Sequence, residues 1–338
     1  MIIHTAEQAI SRLPHIQPDS DFPPGQIVHM IVAGGASQTL YNISTGVHQR
    51  AIEFLCQETH RMPNYPISGG IIHEDSKGRP YFAKGDKAFP ANQYENEFLG
   101  MLAAAGTHFD STTIVTARGT EGTLGDMVQK AMSDYKESEQ EPSWSLMLFS
   151  IFPGVKADWR NEQGELWNVE KILERACLRA FGAGSCLGTH GIEGIAFAVS
   201  RYCLEQDVEP SQLSGTWEKG YEYVLCAMRL MEQNQMGDGS IDRCWFREKK
   251  YPRYPQEWKE KLRDLASRRF EPARAIVYPT GHCLDAISAL DGFWTSGGEW
   301  IDNAAYIVAH TIDTQWAELT QEVSALTHAI HALKLLDV

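Results

Sequence analysis

Three stretches of this 338-residue chain share a turn, a histidine and a following apolar segment. They are Leu187-Gly-Thr-His190-Gly-Ile-Glu193-Gly-Ile-Ala196, Tyr278-Pro-Thr-Gly-His282-Cys-Leu-Asp285-Ala-Ile-Ser288 and Ala325-Leu-Thr-His328-Ala-Ile-His331-Ala-Leu-Lys334. In each stretch a second polar group follows the histidine by three residues, which places both groups on one face of a helix. The histidines are separated by 92 and 46 residues. This spacing predicts an array of helix-pair units of ~45 residues in which one unit lacks the histidine.

A fourth stretch, Tyr94-Glu-Asn-Glu97-Phe-Leu-Gly-Met-Leu102, keeps the apolar spacing and carries glutamate at the histidine position. Elsewhere the apolar residues recur at helical spacing, and alternation with period two is scarce. The sequence therefore predicts an all-α protein. If each of these polar residues begins an inner helix, the helix N-termini meet at one mouth of a central cavity.

The first 90 residues are the least regular part of the sequence. The segments 19–25 and 64–87 are rich in proline, glycine and polar residues, which is typical of loops. Between them, the stretch 37–61 has the composition of a helix. We expect residues 1–90 to form an irregular N-terminal arm or lid with one helix, and residues 91–338 to form the helical body.

A family resemblance follows from the segment after a predicted helix over 221–235. The run Gln233-Asn-Gln-Met-Gly-Asp-Gly-Ser-Ile241 is similar to the repeat of the α/α toroids in the terpenoid cyclase and protein prenyltransferase superfamily. The stretches Asn96-Glu-Phe-Leu99, Gly188-Thr-His190 and Thr280-Gly-His282 also resemble uncharacterised bacterial proteins of this toroid kind. The resemblance covers residues 90–338. It implies an α/α toroid, in which ring closure buries the apolar face of every helix pair.

The mouth of such a toroid is the predicted site for a small molecule. Imidazoles beside carboxylates suit proton transfer near neutral pH, and helix N-termini favour an anion. The residues predicted to contact the ligand are Glu97, His190, His282 and His328. One turn deeper, Glu193, Asp285 and His331 are expected to tune them. The predicted function is binding, and potentially acid–base turnover, of an anionic or isoprenoid-like ligand.

Four residues near this mouth have side chains that bind metals. They are Cys186, His190, His282 and Cys283, whose sulfur and nitrogen atoms suit zinc. They are similar in kind to the cysteine and histidine zinc ligands of the lanthionine cyclases, which are also α/α toroids. Zinc is therefore the one cofactor candidate from the sequence.

A basic, aromatic stretch provides a second candidate for anion binding. Residues 242–274 contain 11 Lys+Arg and 6 Asp+Glu, a local balance of +5 in a chain of −14. The basic cluster within it consists of Arg243, Arg247, Lys249, Lys250 and Arg253. Such a cluster can hold an acidic ligand. It can equally be the solvated face of a loop and an outer helix.

Charge and composition exclude several classes of protein. The net charge of −14 disfavours non-specific binding to nucleic acid. No apolar run approaches the ~20 residues that a transmembrane helix needs. No secretory signal is visible, and the seven cysteines form no CxxC pair, so we expect a cytoplasmic protein without disulfides.

Two alternative functions stay open at this point. A glycan hydrolase or lyase-like (α/α) barrel would use Glu193 and Asp285 as an acid/base pair. A non-catalytic scaffold or partner-binding toroid would have a closed, packed centre. The placement of the three histidines distinguishes these cases, because a shared site requires them to converge on one small volume.

Overall fold

The computed structural model describes residues 2–15, 23–85, 92–246, 272–290, 298–320 and 323–336. Within these ranges the chain is mostly helical, as the apolar periodicity predicts. The α-helices are α1 (Ile2–Arg12), α2 (Pro24–Gly34), α3 (Ala51–Glu53), α4 (Glu97–Ala104), α5 (Leu124–Asp134), α6 (Pro142–Phe149), α7 (Val169–Cys177), α8 (Thr189–Gln206), α9 (Gly215–Gln233), α10 (Pro272–Ser288), α11 (Glu299–Thr314), α12 (Trp316–Leu319) and α13 (Val323–Leu335).

The strands of the described segments form four short antiparallel hairpins. They are β1 (Thr39–Asn42) with β2 (Val47–Arg50), β3 (Ile72–Glu74) with β4 (Pro80–Phe82), β5 (Thr113–Val115) with β6 (Glu121–Thr123), and β7 (Trp159–Arg160) with β8 (Leu166–Trp167). A short helical turn at Ser185–Gly188 leads directly into α8. This turn carries Cys186, which matters for the site.

Six helices contact one another in a cyclic order. α2 packs against α4, α4 against α6, α6 against α8, α8 against α10, α10 against α13, and α13 against α2. α7 and α9 pack against members of this cycle, α11 packs against α10, and α1 packs against α13. All eight residues of α6 are buried, which is typical of a helix that neighbours enclose on every side.

Two glycines allow the neighbours of α6 to approach it closely. A Cβ at Gly100 of α4 would lie 2.6 Å from the backbone oxygen of Trp144, and one at Gly194 of α8 would lie 2.6 Å from that of Ser143. Only glycine permits such backbone contact. The approach brings α8 against α6, and the rings of Trp144 and His190 are 4.5 Å apart between their centroids.

The N-terminal region contains more regular structure than the predicted single helix. Of residues 37–61, predicted as that helix, only the second half is helical: the β1–β2 hairpin comes first, and α3 then continues through a π-helical turn (Phe54–Glu58) and a 3-10 turn (Thr59–Arg61). The Asn42 side chain accepts the Ser44 N–H at 2.9 Å, and Gly46 has a φ of 73°, so this segment turns back on itself. α1 and α2 are further helices in residues 1–90, and α2 belongs to the cycle of six. The boundary at residue 90 stays a prediction.

Two other sequence-based expectations concern the remaining chain. A predicted helix over 255–270 lies outside the described residues. Among the residues that are described, no helix has both the length and the apolar character required to cross a membrane.

Candidate metal centre

The three histidines of the sequence repeat converge. The ring centroids of His282 and His328 are 4.2 Å apart, those of His190 and His328 are 5.0 Å apart, and those of His190 and His282 are 5.7 Å apart. All three side chains are buried. A fourth imidazole, His29 of α2, lies 5.0 Å from His328. Four helices of the cycle therefore each contribute one imidazole to a common cluster.

Carboxylates orient two of these imidazoles. His190 Nδ1 lies 2.8 Å from Glu193 Oε2 on the same helix, and His328 Nδ1 lies 2.5 Å from Asp285 Oδ2 on α10. An ionised carboxylate can only accept a hydrogen bond, so Nδ1 of each ring carries the hydrogen. The Nε2 atom of each ring is therefore the one left to face the cluster, and it carries a lone pair whenever the ring is neutral.

Backbone carbonyls orient the other two rings in the same sense. His282 Nδ1 donates to the carbonyl of Tyr278 at 2.7 Å, and His29 Nδ1 donates to that of Gly25 at 2.6 Å. Each acceptor lies four residues earlier on the same helix. The Nε2 atom of His328 is buried without a hydrogen-bond partner among the described residues, and the Nε2 atom of His282 has only the sulfur of Cys186 within reach. Buried acceptors without a partner are rare and costly.

Asp285 joins two histidines of α13. Its second oxygen, Oδ1, lies 2.6 Å from His331 Nδ1, so this one carboxylate bonds both His328 and His331. Burial alone would raise the pKa of Asp285, but the two histidines lower it. Burial alone would lower the pKa of His331, and Asp285 raises it above its ordinary value. The group is thus a buried, charge-assisted link between α10 and α13.

Cys186 completes the cluster from the turn before α8. Its φ of 45° places it in the left-handed region, and the Thr189 hydroxyl donates to its carbonyl at 2.7 Å. One potential ligand atom from each of Cys186, His190 and His282 lies within 4.8 Å of the other two. Burial would raise the pKa of the Cys186 thiol, but the charges of His190 and His282 hold it well below its ordinary value. Cys186 and Glu193 in turn raise the pKa of His190 against the effect of burial.

This donor set fits a transition metal of the zinc type. A thiolate and imidazole nitrogens are the ligands that zinc prefers in proteins. Metal-binding histidines commonly donate their other N–H to a carboxylate or a backbone carbonyl, which is the arrangement at His190 and His282. His328 presents a further Nε2 lone pair beside these three groups. Small movements of the side chains would suffice to bring the donor atoms to metal-binding distances.

The structure brings most of the predicted site residues together. His190, His282 and His328 form the cluster, and Glu193, Asp285 and His331 bond to it. Glu97 forms no described hydrogen bond with these residues: its carboxylate accepts the backbone N–H groups of Gln93 and Tyr94 at 2.5 and 3.1 Å, although it lies close enough for the charge of His190 to oppose the effect of burial on its pKa. Burial raises the pKa of Glu97. Its described bonds stabilise the turn that leads into α4.

Two details of the prediction are wrong. The histidines do not all begin helices: α10 starts at Pro272 and continues through Pro279, so His282 lies well inside it, and His328 follows the first turn of α13. Four helix N-termini therefore do not surround the site. Cys283 is buried and lies outside the group formed by Cys186, His190 and His282, because successive residues point about 100° apart around a helix.

The predicted anion-binding cluster cannot be placed as a whole. Arg243 lies half-buried after α9. The other members, Arg247, Lys249, Lys250 and Arg253, lie outside the described residues.

Sequence reasoning missed His29 and Glu141. His29 is the single polar ring in the apolar run Ile27-Val-His-Met-Ile31, and that isolation was the available signal. Glu141 is buried and accepts the Ser185 N–H at 3.0 Å, which fixes the turn that carries Cys186. Its distance of 44 residues from Ser185 gave no local sign of this contact.

Comparisons of the chain with protein-family models, with curated proteins and with solved structures find no match.

Proposed function

We propose that the chain is a zinc-binding α/α toroid in which Cys186, His190 and His282 hold the metal at the centre of the ring. The cyclic order of contacts among α2, α4, α6, α8, α10 and α13 supports the toroid. It also agrees with the resemblance to terpenoid cyclases and protein prenyltransferases. The seven cysteines are free thiols, in keeping with a reducing, cytoplasmic location.

One observation carries the metal assignment: two ring nitrogens and a sulfur that can bind a metal converge at a buried point. The Nδ1–H groups of His190 and His282 are used by Glu193 and by the carbonyl of Tyr278. Their remaining nitrogens face the sulfur of Cys186, with one proton shared between Cys186 and His190 in the metal-free protein. A cation satisfies all three at once.

The surrounding charges agree with this assignment. A divalent ion with one thiolate leaves a net charge of about +1 on the loaded centre. Glu193 lies behind His190 and offsets part of this charge, while the charge of Asp285 is matched by His331. A centre with this balance favours a ligand that offers an anionic or carbonyl oxygen, the anionic class of small molecule expected from the sequence.

The histidine beside the proposed metal is suited to proton transfer. Bound zinc would supply Lewis acidity towards such an oxygen. His328 has its Nδ1–H on Asp285 and its Nε2 without a partner among the described residues, which is the arrangement of a general base. We therefore assign zinc-dependent acid–base chemistry on a small molecule, with His328 as the base and Asp285 as the residue that orients it.

The two alternatives receive less support. Glu193 and Asp285 both bond histidines, so neither carboxylate is available as one half of a glycosidase acid/base pair. A scaffold with an inert, packed centre would not require four imidazoles and a thiol to share one buried volume.

Zinc stoichiometry in matched variants tests the proposal. Purified wild-type protein is expected to bind one zinc, measured by elemental analysis and by competition with a chelator. Zinc affinity should fall in each of the variants Cys186→Ala, His190→Ala and His282→Ala. Each loss should exceed the roughly 10–100-fold that is typical when a residue that hydrogen-bonds a metal ligand is removed. His328→Ala should keep stoichiometric zinc.

The exposed His310 of α11 provides a matched control. His310→Ala should bind zinc as the wild type does, and circular dichroism should confirm that every variant is folded. A wild-type protein that takes up no zinc would overturn the proposal, as would equal losses in His310→Ala and His282→Ala.

A second candidate function follows from the strained backbone at Cys186. Left-handed φ values at Cys186 and Leu187 are unusual for residues with side chains and often occur at functional sites. Cys186, His190 and Glu193 form a chain of thiol, imidazole and carboxylate, which is the order of groups in a cysteine nucleophile with its base. In this case the thiolate itself would attack an electrophilic substrate.

Alkylation of Cys186 separates the two candidates. If zinc binds, iodoacetamide should modify Cys186 rapidly in chelator-treated protein and slowly in zinc-loaded protein. Rapid alkylation that zinc does not slow would favour the nucleophile. Cys226, which is exposed, reports the reactivity of an ordinary thiol in the same sample.

A further inference from the structure

A cavity of about 600 Å³ lies apart from the cluster formed by Cys186, His29, His190, His282 and His328. Its walls come from the β3–β4 hairpin, the start of α4, helix α5 and the segment that follows α5. None of its lining residues belongs to the cluster. Phe82, Leu99 and Met127 give it an apolar side, and Glu95 and Glu139 are among its polar groups. This size and mixture of walls are typical of small-molecule sites.

Glu139 is the unusual group of this cavity, because its carboxyl is almost completely buried. Only 6% of the residue is exposed. Its Oε1 accepts the Ser145 hydroxyl at 2.6 Å and the Asn96 side-chain amide at 3.3 Å. Its Oε2 is buried without a hydrogen-bond partner in the described part of the chain. A proton on this carboxyl therefore belongs on Oε2, since Oε1 already accepts two donors.

The neighbourhood of Glu139 favours the protonated form. Burial raises its pKa to about 8, the nearby charge of Glu95 acts in the same direction, and the bond from Ser145 and the charge of Arg175 oppose them. The Tyr135 hydroxyl lies within hydrogen-bond reach of Glu139 and accepts a hydrogen bond from Arg175 at 3.1 Å. At neutral pH, Glu139 is mainly a neutral acid that offers an O–H donor.

Glu95 offers the opposite group. Its Oε1 bonds the Lys84 ammonium at 2.9 Å, while its Oε2 is shielded from solvent and has no partner among the described residues. Lys84 and the hydrogen bonds of Glu95 keep the pKa of this carboxyl below its ordinary value, although burial acts against them. The wall of this cavity thus carries an acceptor on Glu95 and a donor on Glu139, in carboxyl groups close enough for their charges to interact.

We propose that this cavity binds a small neutral molecule with a carboxamide or cyclic amide, whose carbonyl accepts from Glu139 and whose N–H donates to Glu95. An amide carries both complementary groups side by side. The apolar side of the cavity covers the carbon skeleton of the ligand. A cation is less suitable, because Lys84 and Lys130 already line the cavity.

Calorimetric titration with nicotinamide and 2-piperidone tests this inference. Both probes should bind wild-type protein saturably at pH 7, and neither titrates between pH 7 and pH 9. Binding should weaken about tenfold between these pH values, because a group with a pKa near 8 loses most of its protons over that interval. Glu139→Gln keeps a neutral donor, so this variant should bind the probes with little dependence on pH.

Two further variants complete the experiment. Glu139→Leu removes the donor and should abolish binding at both pH values. Glu137→Gln, an exposed position two residues away, should behave as the wild type does. Absence of saturable binding by either probe would overturn the inference, and so would a pH dependence that persists unchanged in Glu139→Gln. Zinc content plays no part in these outcomes, so they are independent of the metal proposal.

Discussion

Asp285 shows how a single buried side chain can organise a site. It bonds His328 with one oxygen and His331 with the other, so both of its described side-chain hydrogen bonds join α10 to α13. Only its backbone carbonyl bonds a residue of its own helix, Ser288. Asp285→Asn would replace an acceptor by a donor that faces an imidazole N–H. We expect this to lower the free energy of unfolding by about 3–5 kcal/mol, the usual cost of removing one partner of a buried pair.

Urea unfolding measures this loss, and the exposed Asp302 of α11 provides the control. Asp302→Asn should change stability by less than about 0.5 kcal/mol. Equal stability of the two variants would show that the contacts of Asp285 are not energetically important.

The same link predicts a pH dependence. The pKa of Asp285 is lowered in the folded state, so its contribution is present above the unfolded value of ~3.9 and is lost as the pH falls through the folded value. The pKa of His331 is raised, so its contribution is present below ~6.5 and is lost as the pH rises through the folded value. The difference in unfolding free energy between wild type and Asp285→Asn should therefore be largest between about pH 4 and pH 6.5. A difference that does not vary with pH would contradict this explanation.

Zinc binding is expected to release a proton from the pair formed by His190 and Cys186. Against the effect of burial, Cys186 and Glu193 raise the pKa of His190 well above its ordinary value, while His190 and His282 hold the pKa of the Cys186 thiol well below its own, so Cys186 and His190 share one proton in the metal-free protein. Binding of zinc should then release about one proton. Calorimetry in two buffers with different heats of ionisation counts this proton. Release of none, or of two, would contradict the assigned charge states.

Two glycines of α8 differ in the space around them and so provide a matched pair of variants. A Cβ at Gly194 would meet the backbone of Ser143, whereas a Cβ at Gly191 would meet no atom within 4 Å. Gly194→Ala should destabilise the protein by about 1–3 kcal/mol through overpacking of α6 against α8. Gly191→Ala should be neutral or stabilising by up to about 1 kcal/mol, because alanine favours a helix. Thermal unfolding of both variants decides this, and similar stability in the two would contradict the close approach.

Local signals predicted some elements well and others poorly. Asn168 is a residue type that favours a helix N-cap, and its side chain accepts the Lys171 N–H at 3.0 Å at the start of α7. Pro279 is a residue type that usually ends a helix, yet α10 continues through it. The three-residue spacing of polar groups correctly paired His190 with Glu193. It could not show that Asp285 bonds residues of another helix, since that contact spans 43 residues.

Across the molecule, the repeat predicted that three histidines lie together, and their rings are within 5.7 Å of one another. The expectation that each histidine begins a helix was wrong. His190 lies at the start of α8, whereas His282 and His328 lie further along α10 and α13. The sequence also could not reveal that α2 closes the cycle between α13 and α4 and contributes His29. Such closure depends on tertiary contacts between the two ends of the chain, which leave no local pattern.

X-ray absorption spectroscopy of the zinc-loaded protein tests the central claim most directly, because it reports the atoms bound to the metal. The proposed site predicts one sulfur at about 2.3 Å and two or three nitrogens at about 2.0–2.1 Å from zinc. Cys186→Ala should remove the sulfur contribution, and His310→Ala should leave the spectrum unchanged. A zinc shell of oxygen and nitrogen alone in the wild-type protein would contradict the assignment of the metal to Cys186, His190 and His282.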